Sequence, residues 1–330
     1  MVKNLFPPAV VQQIPVLHTG LAAAIQACQA NLQTGIIELS LPPAYPTFDL
    51  LFVRGQMVNA YRRSEATERI PVENSLSLVP AFEGQGLLRA LALTPQAIRL
   101  VKILLEQIGA APASSLPTSQ LEAQIEAWTA QPDPSLVHIC WPGAEALALF
   151  PGASHLPRHT LFVAADQILH SAGGMMAFFG WKEQTCEATF YSSSSQTQAW
   201  QEYLLHSSFA WIIGHLLSHF EELTGRLLLD GMIHETNFTA AARGWNVNLA
   251  PACVTDQMIF GSAAEAVNVY RQLLDLILKY MASILGTDVL KLLVQESVMR
   301  LQPAYRRAFQ DNFDFFEPVG AWPATVDQNA

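Results

Sequence analysis

The chain has 330 residues and a mass of 36.2 kDa; 51% of its residues are hydrophobic, only 14% are charged, and its mean hydropathy is +0.22. These values exclude an intrinsically disordered protein, and the formal net charge of -10 disfavours a nucleic-acid-binding surface. Charged residues make up about a quarter of an ordinary domain. The deficit predicts extensive burial, or apolar faces that meet a partner.

The most apolar segments do not predict a membrane span. Residues Phe209–Phe220 are too few and include two histidines, and the run Val267–Leu285 carries Arg271, Asp275 and Lys279. The N-terminus lacks the pattern of a signal peptide, so we expect a cytoplasmic protein. Four cysteines lie far apart without a CxxC pair, which predicts free thiols rather than a zinc knuckle or a disulfide framework.

The first 109 residues predict a sheet-and-helix module. A helix-compatible segment, Leu21–Leu32, precedes a strand over Ile36–Leu41. Two further strands, Phe48–Val53 and Gln56–Tyr61, flank a tight Arg54-Gly55 turn and predict a hairpin. An amphipathic helix then follows from Pro95 to Ile108.

A Pro- and Ser-containing stretch, Gly109–Pro117, predicts a linker before a second module at residues 118–198. A new helix is predicted to open at Thr118 or Ser119. The second module resembles the first, since Leu121–Ile125 of this helix echoes Leu21–Ile25 and an apolar run, Leu136–Trp141, follows. The hairpin also recurs, with Phe52-Val53 aligned on Phe162-Val163 within Thr160–His170. A duplication and a chance likeness of two hydrophobic hairpins both account for this pattern. One more strand is predicted over Glu187–Tyr191.

The remainder, residues 199–317, predicts a mostly helical region, and residues 318–330 predict a frayed tail. The fold class predicted overall is α+β: a sheet-and-helix module, a second related module and a helical C-terminal region. The predicted helices of this region are Trp200–Glu222, Ala263–Leu285, Asp288–Leu301 and a short helix from Pro303 to Asn312.

Within the first module, the segment Leu32–Leu39 with its Thr-Gly pair, followed by Phe48–Tyr61, resembles the PATAN-type domain of bacterial response regulators and motility proteins. Phe52, Gly55 and Ala60 match the family pattern F-x-x-G-x-[IV]-x-x-A, with Val58 one residue beyond the [IV] position. The resemblance covers residues 17–105. It implies a protein-docking module in signalling and carries no catalytic residue.

The best metal candidate is the pair His215 and His219, which lie four residues apart on a predicted helix so that both rings can face one ion. A hydrolytic zinc helix would carry HExxH, but Leu216 follows His215. Two rings that only line a packing face explain the spacing as well. The candidates for a third ligand are His206, Glu222, Asp230 and His234.

Signals for catalysis and nucleotide binding are weak. The chain has no GxSxG elbow, and the glycine pairs Gly84-Gln-Gly86 and Gly173-Gly174 lack the remaining residues of a phosphate-binding loop. Four adjacent serines, Ser192–Ser195, are typical of a polar connection, and His234-Glu235 of a loop or strand end. We therefore predict no catalytic residue and no cofactor.

For partner binding, the sequence points to the first hairpin. Arg54, Arg62 and Arg63 form a basic group on an acidic protein, and Phe52 and Tyr61 lie beside them. A solvated rim is the simpler explanation of these arginines. The hairpin edges could add strands to a partner sheet, or they could simply pair within one continuous sheet.

These observations favour a non-catalytic bacterial regulatory or scaffold protein that acts by protein-protein contact, with a homodimer as the expected state. The alternative is a ligand or metal sensor that uses His215 and His219. A hydrolase has the least support, because no nucleophile, base and oxyanion set can be named.

Overall fold

The computed structural model divides the chain into two compact units, residues 1–203 with 257–263, and residues 204–256 with 264–330. It contains antiparallel sheets and helices, so the predicted α+β class is confirmed. The residues that the structure describes are 10–15, 23, 25–27, 29–31, 34–40, 46–64, 67–72, 85–107, 111–141, 144–152, 161–164, 167–169, 185–195 and 197–313.

Unit 1 contains two six-stranded antiparallel sheets. The strands of the first sheet are β1 (Val10–Pro15), β2 (Gly35–Ser40), β3 (Thr47–Val53), β4 (Gln56–Arg63), β5 (Thr67–Ile70) and β6 (Gln85–Ala92). Their order across the sheet is β1-β6-β2-β3-β4-β5. The predicted hairpin is β3-β4, and its turn places Arg54 at φ 49° and Gly55 at φ 79°, the left-handed pair that a two-residue hairpin needs.

The second sheet has the order β7-β12-β8-β9-β10-β11, which is the order of the first sheet read from β1. Its strands are β7 (Ala113–Pro117), β8 (Ser135–Trp141), β9 (Ala144–Phe150), β10 (Leu161–Ala164), β11 (Gln167–Leu169) and β12 (Thr185–Ser192). The related second module expected from the sequence corresponds to this sheet, and the strand expected near residue 187 is β12.

The strand order corrects how the two halves correspond. Hairpin β3-β4 occupies the place of β9-β10, not of β10-β11 on which the sequence likeness aligned it. The alignment skipped β9 because its Ala- and Leu-rich sequence has the composition of a helix. The predicted linker is also wrong over Ala113–Pro117, which forms edge strand β7 paired with β12.

Helix α1 (Pro95–Gln107) is buried on most of its surface. It packs against β5 of the first sheet and β8 of the second, and one core cluster combines its side chains with Ile36 and Leu136. A further helix, α2 (Leu121–Thr129), covers the opposite face of the second sheet with Trp128 in its core. On the first sheet Ile25 takes the same role, and it belongs to the described helical residues 23, 25–27 and 29–30.

The face of each sheet that shares the α1 cluster is called the inner face below. On the first sheet it carries Ile36 and Leu51, and on the second Leu136 and Leu149. Ile36 pairs with Leu51, and Leu136 pairs with Leu149 in the equivalent strands. The two inner faces can therefore be compared position by position.

Unit 2 is mostly helical, and none of the helices in the described part of the chain is long and apolar enough to cross a membrane. His234-Glu235 lies within a helix, not in the loop or strand end that the sequence suggested. The tail at residues 318–330, Gly84 and Gly173-Gly174 lie outside the described residues. The elements that lie wholly or partly in unit 2 are α3 (Gln198–Thr224), α4 (Arg226–Ala242), β13 (Val247–Ala250), β14 (Cys253–Asp256), α5 (Ala263–Leu285), α6 (Thr287–Arg300) and α7 (Pro303–Gln310).

Candidate functional site

The helices of unit 2 form two hairpins whose turns lie at the same end. Phe209 of α3 stacks on Tyr270 of α5 with ring centroids 4.4 Å apart, and Phe220 lies 6.4 Å from Tyr280 further along both helices. Because the two contacts advance together, α3 and α5 run parallel. Their C-terminal ends, where α4 and α6 begin, are therefore neighbours.

The two turns have the same construction. Gly225 separates α3 from α4 with φ 87°, and Gly286 separates α5 from α6 with φ 81°. Positive φ values of this size suit glycine, which has no Cβ to clash. Each glycine allows one long helix to stop and another to start after a single residue.

Around these two glycines, apolar side chains face solvent. Leu227 is 86% exposed and Leu223 is 57% exposed, far more than a leucine of a packed core. Leu223 and Ile284 both lie two residues before their glycine, and Leu228 and Val289 both lie three residues after it. This surface, called the apolar end, comprises Leu223, Leu227, Leu228, Ile284 and Val289.

The cation at the apolar end is paired within the chain. Arg226, between Leu223 and Leu227, donates to Asp230 at 2.8 Å and to Glu221 at 3.2 Å. Because both acids accept hydrogen bonds from it, the exposed Arg226 guanidinium brings no unpaired positive charge to this surface. The end is thus an apolar surface with a neutralised cation in it, a combination typical of protein contact sites.

The predicted metal pair is brought together by α3. The Nε2 atoms of His215 and His219 lie 3.2 Å apart, and their rings meet edge to face. The other nitrogen of each ring also has a partner, since His215 Nδ1 lies 2.9 Å from Ser297 Oγ and His219 Nδ1 lies 3.1 Å from Glu222. The separation of the two Nε2 atoms fits two ligands of one zinc ion, about 3.3 Å apart in a tetrahedral site.

A cation already occupies the space next to the pair. The Arg300 guanidinium lies 3.1 Å from His215 Nε2, and burial, with His219 and Arg300 beside it, lowers the pKa of His215. Of the suggested third ligands, His206 lies 3.5 Å from Asp256 and Asp230 pairs with Arg226. Glu222 binds the Nδ1 side of His219, away from the point where the two Nε2 atoms meet.

The residues predicted to bind a partner separate into two groups. Phe52 and Tyr61 lie in the core, and Arg63 is mostly buried in ion pairs with Asp49 and Glu38. Arg54 is exposed in the hairpin turn, and Arg62 pairs with Glu68 at the surface. The exposed part of the predicted contact surface is therefore Arg54 and Arg62.

The hairpins do not both offer a free edge. Strand β3 pairs with β2 and β4, and β4 pairs with β5, so the first hairpin lies inside its sheet. In the second sheet β11 is the last strand of the order and pairs with β10. Of the two open alternatives, pairing within one continuous sheet applies to the first hairpin.

Unit 1 also contains a buried polar network that sequence reasoning missed. Lys102 of α1 forms an ion pair with Glu202 and donates to the carbonyl of Phe260 at 2.8 Å. Nearby, Glu106 accepts from Tyr61 at 3.1 Å and from Arg69 at 3.2 Å. The network joins α1 to the first sheet and to the start of α3. The signal that could have revealed it is the presence of Lys102 and Glu106 within an otherwise apolar helix pattern.

A second missed group lies on the second sheet, where ligand atoms of His138, Cys140 and Glu145 all fall within 4.8 Å of one another. The His-x-Cys spacing in the predicted strand could have placed two of them on one face. Glu145 could not have been found, because β9 was not predicted. Burial, with Glu145 and Glu187 nearby, raises the pKa of the Cys140 thiol to about 12, so it is not an activated nucleophile.

No protein-family model, no curated protein and no solved structure matches this chain.

Proposed function

We propose that this protein acts through protein-protein contact, as a non-catalytic regulatory or scaffold protein that forms a homodimer through the apolar end. The exposure of Leu223 and Leu227 carries the proposal. An apolar side chain that stays in water forgoes about 1.5–3 kcal/mol that burial would contribute. Packing several such side chains against a partner is therefore a strong driving force.

A second copy of the chain is the partner that best suits this surface. In a two-fold dimer the same patch packs against itself, so the patch must complement itself. The apolar end is already repetitive, with Leu223 and Leu228 of one helical hairpin matched by Ile284 and Val289 of the other. Since Arg226 is paired within its own chain, it brings no unpaired positive charge into the contact.

For the biological setting we propose bacterial signalling, on the resemblance of the N-terminal third to PATAN-type domains, and the cytoplasm, on the N-terminal sequence. The motif supports this part of the proposal. Gly35, the glycine of the Thr-Gly pair, lies where an added Cβ would come 1.9 Å from the carbonyl oxygen of Leu91. The exposed Arg54 and Arg62 beside the motif suit an acidic partner surface.

The dimer is tested by light scattering on the full chain. We expect the wild type to have about twice the 36.2 kDa mass of one chain, and Leu227→Glu or Leu223→Glu to shift it towards the monomer. A charge in the centre of an apolar contact weakens association by about 2 kcal/mol or more, over tenfold in Kd. The matched control is Met299→Glu, because Met299 is 56% exposed on α6 but lies outside the apolar end.

A monomeric wild type at tens of micromolar would contradict the proposed dimer. So would equal dissociation by Met299→Glu, since the effect would then not depend on the apolar end. Circular dichroism on each variant confirms that the helices persist.

A metal sensor is the second candidate, favoured by the 3.2 Å separation of the His215 and His219 Nε2 atoms. In this reading Arg300 swings away when the ion binds. Metal analysis of the purified chain, with His215→Ala and His219→Ala variants, tests it. Absence of metal from the wild type, or metal content that both variants retain, would remove this candidate.

A further inference from the structure

The inner face of the second sheet gathers three side chains that commonly bind metal ions. His138 and Cys140 alternate along β8, so they lie on one face, and Glu145 of β9 is the direct cross-strand partner of Cys140. His138 and Glu145 are 4% and 7% exposed, whereas Cys140 is half-buried. The cluster is sheltered yet reachable from solvent at the thiol.

The distances within the cluster converge on one nitrogen atom. His138 Nε2 lies 3.1 Å from Glu145 Oε2 and 3.3 Å from Cys140 Sγ. Cys140 Sγ also lies 3.8 Å from His138 Nδ1, so the thiol lies within reach of both ring nitrogens. An ion placed among the three atoms would bind all of them at once.

The equivalent place on the first sheet shows how such a cluster is otherwise neutralised. There Glu38 and Asp49 are buried acids, with Arg63 Nη2 2.8 Å from Glu38 and 3.0 Å from Asp49. Arg89 adds a second cation 3.8 Å from Glu38. Two arginines balance two carboxylates without any ligand.

The second sheet lacks this compensation within the described residues. Arg89 is the cross-strand partner of Glu38 on β6, and the equivalent partner of His138 on β12 is Thr189. Among the described residues no arginine or lysine pairs with Glu145, whose ion-pair contact is the His138 ring. Glu187 lies beside Cys140 on β12 and adds negative charge.

We propose that His138, Cys140 and Glu145 bind a divalent zinc-like cation on the inner face of the second sheet. One nitrogen, one sulfur and one oxygen ligand form a typical zinc donor set. Tetrahedral zinc with bonds of about 2.0–2.3 Å separates its ligand atoms by about 3.2–3.8 Å, close to the 3.1 Å and 3.3 Å separations observed here. Water or the neighbouring Glu187 completes the coordination. The ion takes the place that arginine fills in the first sheet.

Cobalt(II) is the probe of choice, because a cobalt-thiolate bond gives a charge-transfer band in the near ultraviolet. The full chain is stripped with a chelator and titrated with Co²⁺, and then with Zn²⁺ in competition. We expect one equivalent of Co²⁺ to produce the band and Zn²⁺ to remove it. Cys140→Ser should abolish the band, whereas Cys253→Ser and Cys186→Ser, which alter thiols outside the cluster, should retain it.

Glu145→Gln and His138→Gln should weaken Co²⁺ binding at least about tenfold while leaving Cys140 in place. They decide the outcome if Cys140→Ser does not fold, as judged by circular dichroism. The double variant with His215→Ala and His219→Ala should keep the band, which separates this site from the histidine pair of unit 2. No band in the wild type, a band that persists in Cys140→Ser, or unchanged affinity in both other variants would overturn the proposal.

Discussion

The two sheets of unit 1 have the same strand order but fill equivalent inner-face positions differently. In the first sheet, Glu38 and Asp49 are neutralised by Arg63 and Arg89. In the second, His138 and Cys140 occupy the corresponding stretch of β8 without an arginine in the described residues. One topology thus contains a closed ion-pair network in one sheet and an open cluster of candidate metal ligands in the other.

The difference teaches that strand order specifies where polar side chains converge but not what they do. Both clusters lie where the strands emerge from the α1 core, so both need a charge to balance buried carboxylates. In the first cluster the arginines neutralise the carboxylates, so this cluster has a structural role. A missing cation makes the second a candidate binding site.

The largest expected effect is on the closed network. Arg63→Met leaves the buried Asp49 and Glu38 carboxylates without their main partner, and we expect unfolding free energy to fall by about 3–5 kcal/mol. Urea denaturation measures it. Arg62→Met is the matched control, because its pair with Glu68 is exposed and should contribute no more than about 1 kcal/mol. Equal losses from the two variants would show that the network is not the stabilising feature.

A second test compares the same position in the two sheets. Gly35 and Ser135 both begin the central strands β2 and β8, but an added Cβ at Gly35 would meet the backbone of Leu91 at 1.9 Å. Gly35→Ala should therefore destabilise the protein by about 1–3 kcal/mol through overpacking. Ser135→Ala should change stability by less than about 1 kcal/mol, because the buried Ser135 hydroxyl has no partner among the described residues. A harmless Gly35→Ala would show that β6 can move away.

The smallest expected effect concerns pH. Burial, with Glu106 nearby, raises the pKa of Tyr61 well above its usual value near 10. As pH rises, the Tyr61 hydroxyl of the unfolded chain therefore loses its proton before that of the folded chain. The contribution of Tyr61 to the free energy of unfolding is complete below pH 10 and is lost as pH rises further. Above pH 10 the free energy of unfolding should fall less steeply with pH for Tyr61→Phe than for wild type. Near neutrality this variant should be less stable by about 1 kcal/mol, because it lacks the hydrogen bond to Glu106.

Tyr191 of the second sheet is the comparison residue for this test. Its pKa is also raised by burial, but less strongly than that of Tyr61, and it has no acid contact comparable to Glu106 in the described residues. Tyr191→Phe should therefore flatten the alkaline curve less. A larger effect from Tyr191→Phe would contradict the assignment of the shift to Tyr61.

Several elements were predictable because local patterns specify them. The apolar spacing of α1 and α5 and the Arg54-Gly55 turn between two β-rich runs led to elements close to those observed. Strands β6 and β9 escaped prediction because their Leu- and Ala-rich sequences favour a helix, and only pairing with neighbouring strands makes them extended. Helix α4 was missed because its exposed leucines obscure an amphipathic pattern.

The sequence by itself determined the low charge, the α+β class and the positions of the main helices, since these depend on composition and on residues near one another in the chain. Tertiary structure decided which residues became neighbours. Phe52 and Tyr61 became core residues, and Cys140 came to lie opposite Glu145, because strand register joins residues that no local pattern relates. It also located the shortage of charge, partly in the α1 core between two sheets and partly in an apolar end that remains exposed to solvent.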